Sequence, residues 1–218
     1  MGIPQLVIGN KNYSSWSLRA WLILAKLKVE FAEVRVLLNT AGYREQLLHY
    51  SPAGKVPVYL EDDLVIWDSL AIAEYFAEQY PELLPKDLKQ RARMRSLAAE
   101  MHSGFMTLRS QMPMNCRATN RRVEITPELA KDIKRVQNIW TNCRNNHAQA
   151  GSWLFGNFTI VDAMYVPVVF RFNTYGVECD PIAKEYMNWV LDDPDIKRWY
   201  EAAKNETEVI QEEEVGIS

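Results

Sequence analysis

The sequence predicts an α+β fold in which a small mixed sheet precedes an all-helical region. Two short runs rich in β-forming residues, 56–60 and 64–67, flank the acidic turn residues 61–63. Beyond residue 87, apolar side chains recur at helical spacing and no long strand pattern is found. Residues 81–86 contain two prolines between two helical patterns, which indicates a linker between two domains.

The predicted N-terminal domain covers residues 1–80 and has the element order βαβαββα. A strand, a helix and a second strand in this order imply a parallel strand pair joined by a crossover helix, and the hairpin adds an antiparallel pair. The helix after the hairpin begins at Ser69, and Pro81 ends it. The predicted strands are at 6–9, 31–37, 56–60 and 64–67, with an amphipathic helix around 18–27 and a short helix within 39–50.

The predicted C-terminal domain covers residues 87–218 and consists of helices. Asp87 is a suitable N-cap for a long helix that we expect to continue through Leu108. Residues 126–128, Thr-Pro-Glu, have the N-cap, proline and acid of a helix start. We expect the acidic tail around residues 212–214 to be frayed. Two further helices are predicted at 180–191 and 195–204.

A capping box opens the most apolar helix of this domain. Thr159 and Asp162 stand three residues apart before the run, with Asp in the position of the acid. The run is apolar on all sides, so we expect the helix to be buried. Pro167 lies inside it and should kink the helix or end it early.

Composition restricts the classes of partner. Of the 218 residues, 48% are hydrophobic and the net charge is −3, which argues against nucleic acid. No apolar run approaches the roughly 20 residues that span a bilayer, so we expect no membrane partner. The start of the sequence shows no signal-peptide pattern, which favours a cytoplasmic protein.

The spacing of the cysteines and histidines also indicates a cytosolic protein, and it argues against a metal site. Cys116, Cys143 and Cys179 are isolated and form neither a CxxC motif nor a zinc spacing, as expected for a reduced cytosolic protein. The three histidines are scattered, so no metal site is predicted.

The segment around the hairpin suggests a ligand with both charges of an α-amino acid. Val56 precedes Pro57, and a bend at this X-Pro bond can free the Val56 backbone to pair with an extended ligand. Asp68 and Ser69 open a helix, where backbone N–H groups can bind a carboxylate and the Asp can hold an ammonium. The alternative is a capped helix after a hairpin, with no ligand.

The segment VP, the hairpin and the run WDSLAIAEYF together resemble the glutathione-binding half of the glutathione transferase superfamily. The segments GNFTIVDA and DPDIKRWYEA resemble this family's buried capping box and last helix. The resemblance implies a thioredoxin-like N-terminal domain, a helical domain that contributes the electrophile pocket, and a homodimer. It also implies glutathione as co-substrate, bound by a set of five residues. These are Lys55, Val56, Pro57, Asp68 and Ser69.

The loop before the first helix is expected to activate the thiol. The segment YSSWSLRAWL resembles the zeta-class motif SSCSWR, which places the thiol-activating hydroxyl at Ser14 and a ligand-contacting serine at Ser15. A hydroxyl donor favours the thiolate, which is the nucleophile. Trp16 departs from the motif and puts zeta-type activities in doubt. The alternative donors are Tyr13, Ser15 and Ser17, with Ser15 the second candidate catalytic residue, and helix capping alone would also explain the serines.

The expected activity is attack of the glutathione thiolate on a small hydrophobic electrophile. Two other functions stay open. One is a glutathione-dependent isomerase of the maleylacetoacetate isomerase type, because the thiol chemistry is shared. The other is a non-catalytic binding module with the same fold. The absence of a cysteine from the 10–17 loop argues against disulfide exchange there.

Overall fold

The fold, seen in a computed structural model that describes residues 2–217, begins with a four-stranded mixed sheet. The sheet order is β2-β1-β3-β4, with β1 and β2 parallel and the other two neighbouring pairs antiparallel. The predicted βαβαββα order is therefore confirmed. The strands are β1 (Gln5–Ile8), β2 (Ala32–Arg35), β3 (Val58–Glu61) and β4 (Leu64–Trp67).

Helices cover both faces of this sheet, because strand side chains alternate in direction. On one face, Leu6 and Ile8 join a core with α1 (Ser15–Leu27) and α3 (Ser69–Gln79). On the other face, Val7 and Val58 pack with Leu47 of the short helix α2 (Tyr43–Leu48).

The second part of the described chain is helical. Helix α7 is its centre: all of its side chains except that of Asn173 are buried, and it packs against α1 and α4. Pro167 does not end this helix early, and the predicted burial is confirmed. The helices are α4 (Leu88–Ser103), α5 (Met106–Gln111), α6 (Pro127–His147), α7 (Ile160–Thr174), α8 (Pro181–Asp192) and α9 (Pro194–Lys204).

The predicted capping box is present at the start of α7. The Asp162 carboxylate accepts hydrogen bonds from the N–H and the hydroxyl of Thr159, at 2.9 and 3.0 Å. Its other oxygen accepts from the Leu154 N–H at 2.9 Å and from the Tyr186 hydroxyl at 3.2 Å. Asp162 thus closes the helix start and ties it to α8 and to the preceding loop.

The prediction of one helix from Asp87 through Leu108 is wrong. Helix α4 ends at Ser103, and Phe105 takes a left-handed backbone conformation with φ of 58° before α5 begins. A Cβ on Gly104 would lie 2.8 Å from the Glu100 carbonyl oxygen, so the break needs glycine there. The break turns the Phe105 ring into the core, where it meets the Tyr165 ring.

The prediction of a frayed tail is also wrong for the residues described. Glu206 accepts hydrogen bonds from the backbone N–H groups of Lys11 and Asn12, at 2.8 and 2.9 Å. Glu214 accepts one from the Tyr13 hydroxyl at 2.6 Å. The tail therefore crosses back over the loop between β1 and α1, because its acids satisfy donors that the loop leaves open.

Candidate active site

A cavity of about 860 Å³ opens between the two parts of the chain. One wall is formed by the loop before α1, by α2 and by residues 53–56. The opposite wall comes from the end of α4, from α5, from α7 and from the tail. Of the predicted site residues, Ser14, Ser15, Lys55 and Val56 line the cavity, whereas Pro57, Asp68 and Ser69 are not part of its lining.

Ser14 is the N-cap of α1 and has one hydrogen to spare. Its Oγ accepts a hydrogen bond from the Ser17 N–H at 3.3 Å and lies 2.7 Å from the Ser17 hydroxyl oxygen. The Ser17 oxygen in turn accepts from the Gly9 N–H at 3.0 Å. When Ser17 donates its proton to Ser14, the Ser14 proton is free to point into the cavity. The two serines therefore form a relay that can present a donor to a bound atom.

Among the other candidate hydroxyls of the loop, Tyr13 donates its proton to the tail, whereas Ser15 acts as an acceptor and keeps its own proton. Tyr13 donates to Glu214 and accepts from Arg117 Nη2 at 2.8 Å, and burial together with the Glu214 hydrogen bond raises the pKa of Tyr13. Ser15 Oγ accepts from Arg171 Nη2 at 3.3 Å. Ser14 and Ser15 are thus the loop hydroxyls that can present a proton to the cavity, and Ser14 is the one that caps α1.

Residues 55–57 form an edge beside β3. The Val56–Pro57 peptide bond is cis, and no partner for the Val56 backbone N–H or C=O is found among the described residues. Lys55 is exposed at the cavity, and Pro57 is buried behind it. The backbone groups of Val56 are therefore open to a partner beside the cavity.

Asp68 caps its own helix. Its Oδ1 accepts hydrogen bonds from the N–H groups of Leu70 and Ala71, and its Oδ2 lies 3.1 Å from His102 Nε2. Ser69 is buried, and its hydroxyl has no partner within the described chain. The capped-helix interpretation is therefore visible in the geometry, while a ligand role for these two residues stays a prediction. His102, which lines the cavity, connects Asp68 to it.

The sequence reading missed the side chains of the opposite wall. Arg109 and Arg171 line the cavity, and the guanidinium carbons of Arg19 and Arg109 lie 4.4 and 4.7 Å from the centre of the Trp16 ring. The available signal was Arg171 itself, a charged residue inside an otherwise apolar helix.

Burial acts on the charges of this wall. It lowers the pKa of Arg171 to about 10 and lowers the pKa of Arg109, whose charge persists at neutral pH. Burial also lowers the pKa of His102, and Arg19 and Arg109 act in the same direction, while Asp68 opposes them. The wall therefore carries at least two positive charges at neutral pH, those of Arg109 and Arg171. The imidazole of His102, whose pKa is lowered, can act there through its hydrogen bonds.

Two family models match the chain. The glutathione S-transferase N-terminal domain matches residues 13–79, and the glutathione S-transferase C-terminal domain matches residues 91–202. The second match alone covers more than half of the chain. The chain belongs to the glutathione S-transferase family. The predicted family and its two-part architecture are thereby confirmed, and glutathione is the co-substrate of this family.

The similar proteins include a maleylacetoacetate isomerase and a Z-type glutathione S-transferase. A probable maleylacetoacetate isomerase of Caenorhabditis elegans is 28% identical over 170 residues, which is 77% of this chain and 78% of the relative. Glutathione S-transferase Z1 of Arabidopsis thaliana is 29% identical over 151 residues, 63% of this chain and 68% of the relative.

Solved structures show the same fold. A glutathione transferase homologue from Burkholderia, with bound glutathione, superposes with a TM-score of 0.70 at 20% identity, covering 94% of this chain and all of that one. A family member from Pseudomonas fluorescens, with two glutathione molecules bound, gives 0.68 at 19% identity, covering 91% and 92%.

Membrane-spanning helices and groups of metal-ligating side chains are both absent from the described residues. No helix within residues 2–217 combines the length and apolar character needed to cross a bilayer. Nor does that range contain three or more His, Cys, Asp or Glu side chains grouped as metal ligands.

Proposed function

We propose that this glutathione S-transferase family member binds glutathione in the 860 Å³ cavity and activates its thiol with the Ser14 hydroxyl. The observation that carries the proposal is the Ser14–Ser17 pair at the cavity wall, in which a donation from Ser17 leaves the Ser14 proton for the ligand. A donor aimed at sulfur stabilises thiolate relative to thiol, and the thiolate then attacks a small electrophile. Ser15, beside it, is proposed to contact the ligand.

The remaining predicted residues receive roles along the glutathione backbone. The open backbone of Val56 pairs with the extended peptide, with Pro57 holding the bend and Lys55 available to a carboxylate. Asp68 binds the amino group and Ser69 the neighbouring carboxylate. These two lie outside the cavity lining, but Asp68 is exposed and lies 3.1 Å from His102, which lines the cavity.

Isomerisation is the second candidate reaction. The similar protein of Caenorhabditis elegans carries the name of a probable maleylacetoacetate isomerase, and this chain covers 78% of it. An isomerase of this kind also needs an activated thiol, so the Ser14 relay serves either reaction. A product that retains glutathione shows conjugation, whereas an isomer formed with glutathione unchanged shows isomerisation.

The experiment is retention on immobilised glutathione followed by turnover of 1-chloro-2,4-dinitrobenzene. Retention and a rate that falls in Ser14→Ala support an enzyme. Retention without turnover of any electrophile favours the non-catalytic binding module, and absence of retention contradicts glutathione binding.

We further propose a homodimer in the cytoplasm, with no nucleic acid or membrane partner. Family members pair isologously about a two-fold axis. The sheet edge offers a matching surface, since Val65 and Trp67 of β4 are 38% and 45% exposed. Light scattering at micromolar concentration should give twice the mass of one chain, and the mass of a single chain contradicts the dimer.

A further inference from the structure

His102 connects the helical part of the chain to the start of α3. It lies in the last turn of α4, half-buried at the cavity, and its Nε2 atom is 3.1 Å from Oδ2 of Asp68. Asp68 is the N-cap of α3 and belongs to the part that contains the sheet. The pair therefore crosses between the two parts of the chain, and the proposed activation of the thiol by Ser14 does not use it.

The imidazole of His102 is held in place by its neighbours. Nη2 of Arg109 donates hydrogen bonds to the His102 carbonyl at 3.1 Å and to the Met101 carbonyl, which fixes the last turn of α4. The Trp16 ring meets the imidazole edge to face, with 5.4 Å between the ring centres. Because both its backbone and its ring are held, the side chain keeps Nε2 directed at Asp68.

The imidazole donates to Asp68 without cancelling its charge. Burial lowers the pKa of His102, and the charges of Arg19 and Arg109 act in the same direction, while Asp68 opposes them. Protonation would also place an N–H at Nδ1, which is buried and has no partner among residues 2–217. Near neutral pH the ring is therefore uncharged. Its proton lies on Nε2, because a carboxylate can only accept.

The two carboxylate oxygens of Asp68 have different partners. Oδ1 accepts hydrogen bonds from the N–H groups of Leu70 and Ala71, at 2.8 and 3.2 Å, and so caps α3. Oδ2 faces His102 and retains a second lone pair. The side chain of Asp68 is 43% exposed, so a ligand can reach this oxygen. Oδ2 is therefore the oxygen available to an ammonium group, and His102 is the neighbour that fixes its direction.

We propose that His102 is a positioning residue for glutathione, which holds Oδ2 of Asp68 in the direction that receives the α-ammonium group of the ligand. The inference rests on the proposed function, which assigns this ammonium to Asp68, and it extends recognition of the amino group to a residue of the helical part. Imidazole and ammonium donate to the same oxygen from two directions. A carboxylate that is already oriented loses less side-chain freedom when the ligand binds, so the amino group is bound more tightly.

The test compares two ligands that differ at the amino group alone. These are glutathione and glutaryl-L-cysteinylglycine, which carries hydrogen in place of the α-amino group. Titration calorimetry should show that the parent binds glutathione about tenfold or more tightly than the analogue, as for a hydrogen bond to a charged group. Equal binding of the two ligands overturns the inference. A parent that binds neither ligand contradicts the proposed function itself, and the inference with it.

Substitutions of His102 assign the preference for glutathione to the imidazole. His102→Phe keeps a ring against Trp16 and removes the donor, so the preference should fall by about threefold or more while the analogue binds as in the parent. His102→Gln places an amide N–H near the position of Nε2 and should restore most of the preference. His147→Phe is the matched control and should leave the preference unchanged. His147 is a half-buried histidine that stacks on Phe155 at the end of α6, outside the cavity lining.

Two results with His102→Phe separate positioning from other roles of the histidine. An equal weakening of both ligands shows that His102 only supports the fold, and it overturns the inference. Tighter binding of glutathione by this variant also overturns it, because His102 would then compete with the ammonium for Oδ2. Glutathione binding persists in both cases, so the proposed function stands even where the inference fails.

The parent provides a second measurement, which decides even where a variant of His102 does not fold. Nitrogen-15 NMR observes the ring nitrogens of the three histidines, and His49→Phe and His147→Phe assign the signals. His102 should carry its proton on Nε2 near neutral pH, and this signal should shift more with glutathione than with the analogue. An equal response to the two ligands contradicts a role of His102 in binding the amino group.

Discussion

The hydroxyl oxygens of Ser14 and Ser17 lie 2.7 Å apart, and the Gly9 N–H donates to the second of them. This pair gives Ser14 a way to donate to a bound sulfur, namely when Ser17 is the donor within the pair. The Gly9 hydrogen bond occupies a lone pair of Ser17 but leaves its proton free for Ser14. The proton of Ser14 is then the one available at the cavity.

Ser14→Ala should raise the pKa of bound glutathione thiol by about one to two units, since a hydrogen bond to a charged group contributes about 1.5–3 kcal/mol and one unit equals about 1.4 kcal/mol. Glutathione binding should stay largely intact, while conjugation near neutral pH slows. The measurement is thiolate absorbance against pH in the complex. Ser15→Ala is the control and should shift the curve less. A shift in Ser15→Ala or Tyr13→Phe but not in Ser14→Ala moves the role to that residue, and no shift in any of them makes a backbone N–H the donor.

Asp68→Asn should weaken glutathione binding by about 1.5 kcal/mol, at the lower end of the range for a hydrogen bond to a charged group, because the carboxylate is 43% exposed. Asparagine keeps the oxygen that caps α3 and removes the charge that would hold the ammonium. Titration calorimetry measures the change. Asp63→Asn, in the hairpin turn, is the matched control. Equal affinity in Asp68→Asn and the parent would show that the ammonium binds elsewhere.

Asp162→Ala should lower the free energy of unfolding by at least about 2 kcal/mol, since it leaves several buried donors without an acceptor. Affinity for glutathione in the folded variant should be nearly unchanged, because Asp162 lies outside the cavity lining. Denaturant titration measures the free energy of unfolding, and calorimetry measures the affinity for glutathione. An unchanged midpoint of the denaturant titration would mean that the capping box contributes nothing to stability.

The same carboxyl makes stability depend on pH. Burial raises the pKa of Asp162 to about 6, although four hydrogen-bond donors oppose it, against 3.8 as its ordinary value. Between these two values the folded state binds the proton more readily than the unfolded state, so this group's contribution falls as pH rises. The stability advantage of the parent over Asp162→Ala should therefore be largest near pH 4 and smaller at pH 7, by up to about 3 kcal/mol. An advantage that grows with pH contradicts this.

Glu206→Ala should slow turnover more than it weakens glutathione binding. Its carboxylate holds the N–H groups of Lys11 and Asn12, and thereby the loop that leads to Ser14. Unfolding should also become easier by about 1.5–3 kcal/mol, the range for hydrogen bonds to a charged group. Glu208→Ala is the control, because the Glu208 carboxylate bonds Arg35 at the surface. Equal effects of the two substitutions on kcat would show that the tail does not position the loop.

Local patterns were enough to predict the sheet, the capping box and the starts of most helices, because each depends on residues a few positions apart. The break at Gly104 and Phe105 was missed because the apolar pattern continues through it. What sets the break is the Phe105 ring entering a core built with Tyr165, which sequence periodicity does not show.

Half of the candidate site was predictable from the sequence, and half was not. Ser14, Ser15, Lys55 and Val56 were found because the loop and the VP segment carry a motif. The arginines of the opposite wall were not found, because Arg109 and Arg171 come from distant segments of the chain. These segments meet the loop only in the folded protein. The resemblance covers the loop, whereas the opposite wall has no motif.

The hydrogen bonds of Glu206 and Glu214 to the loop join residues 195 and 201 positions apart in the chain. During synthesis the loop leaves the ribosome long before these acids are made. The helix that begins at Ser14 can form early, but the loop before it acquires its acceptors only when residues 206–214 emerge. A chain that ends before residue 206 therefore lacks these acceptors, and the loop beside the cavity is left with open donors.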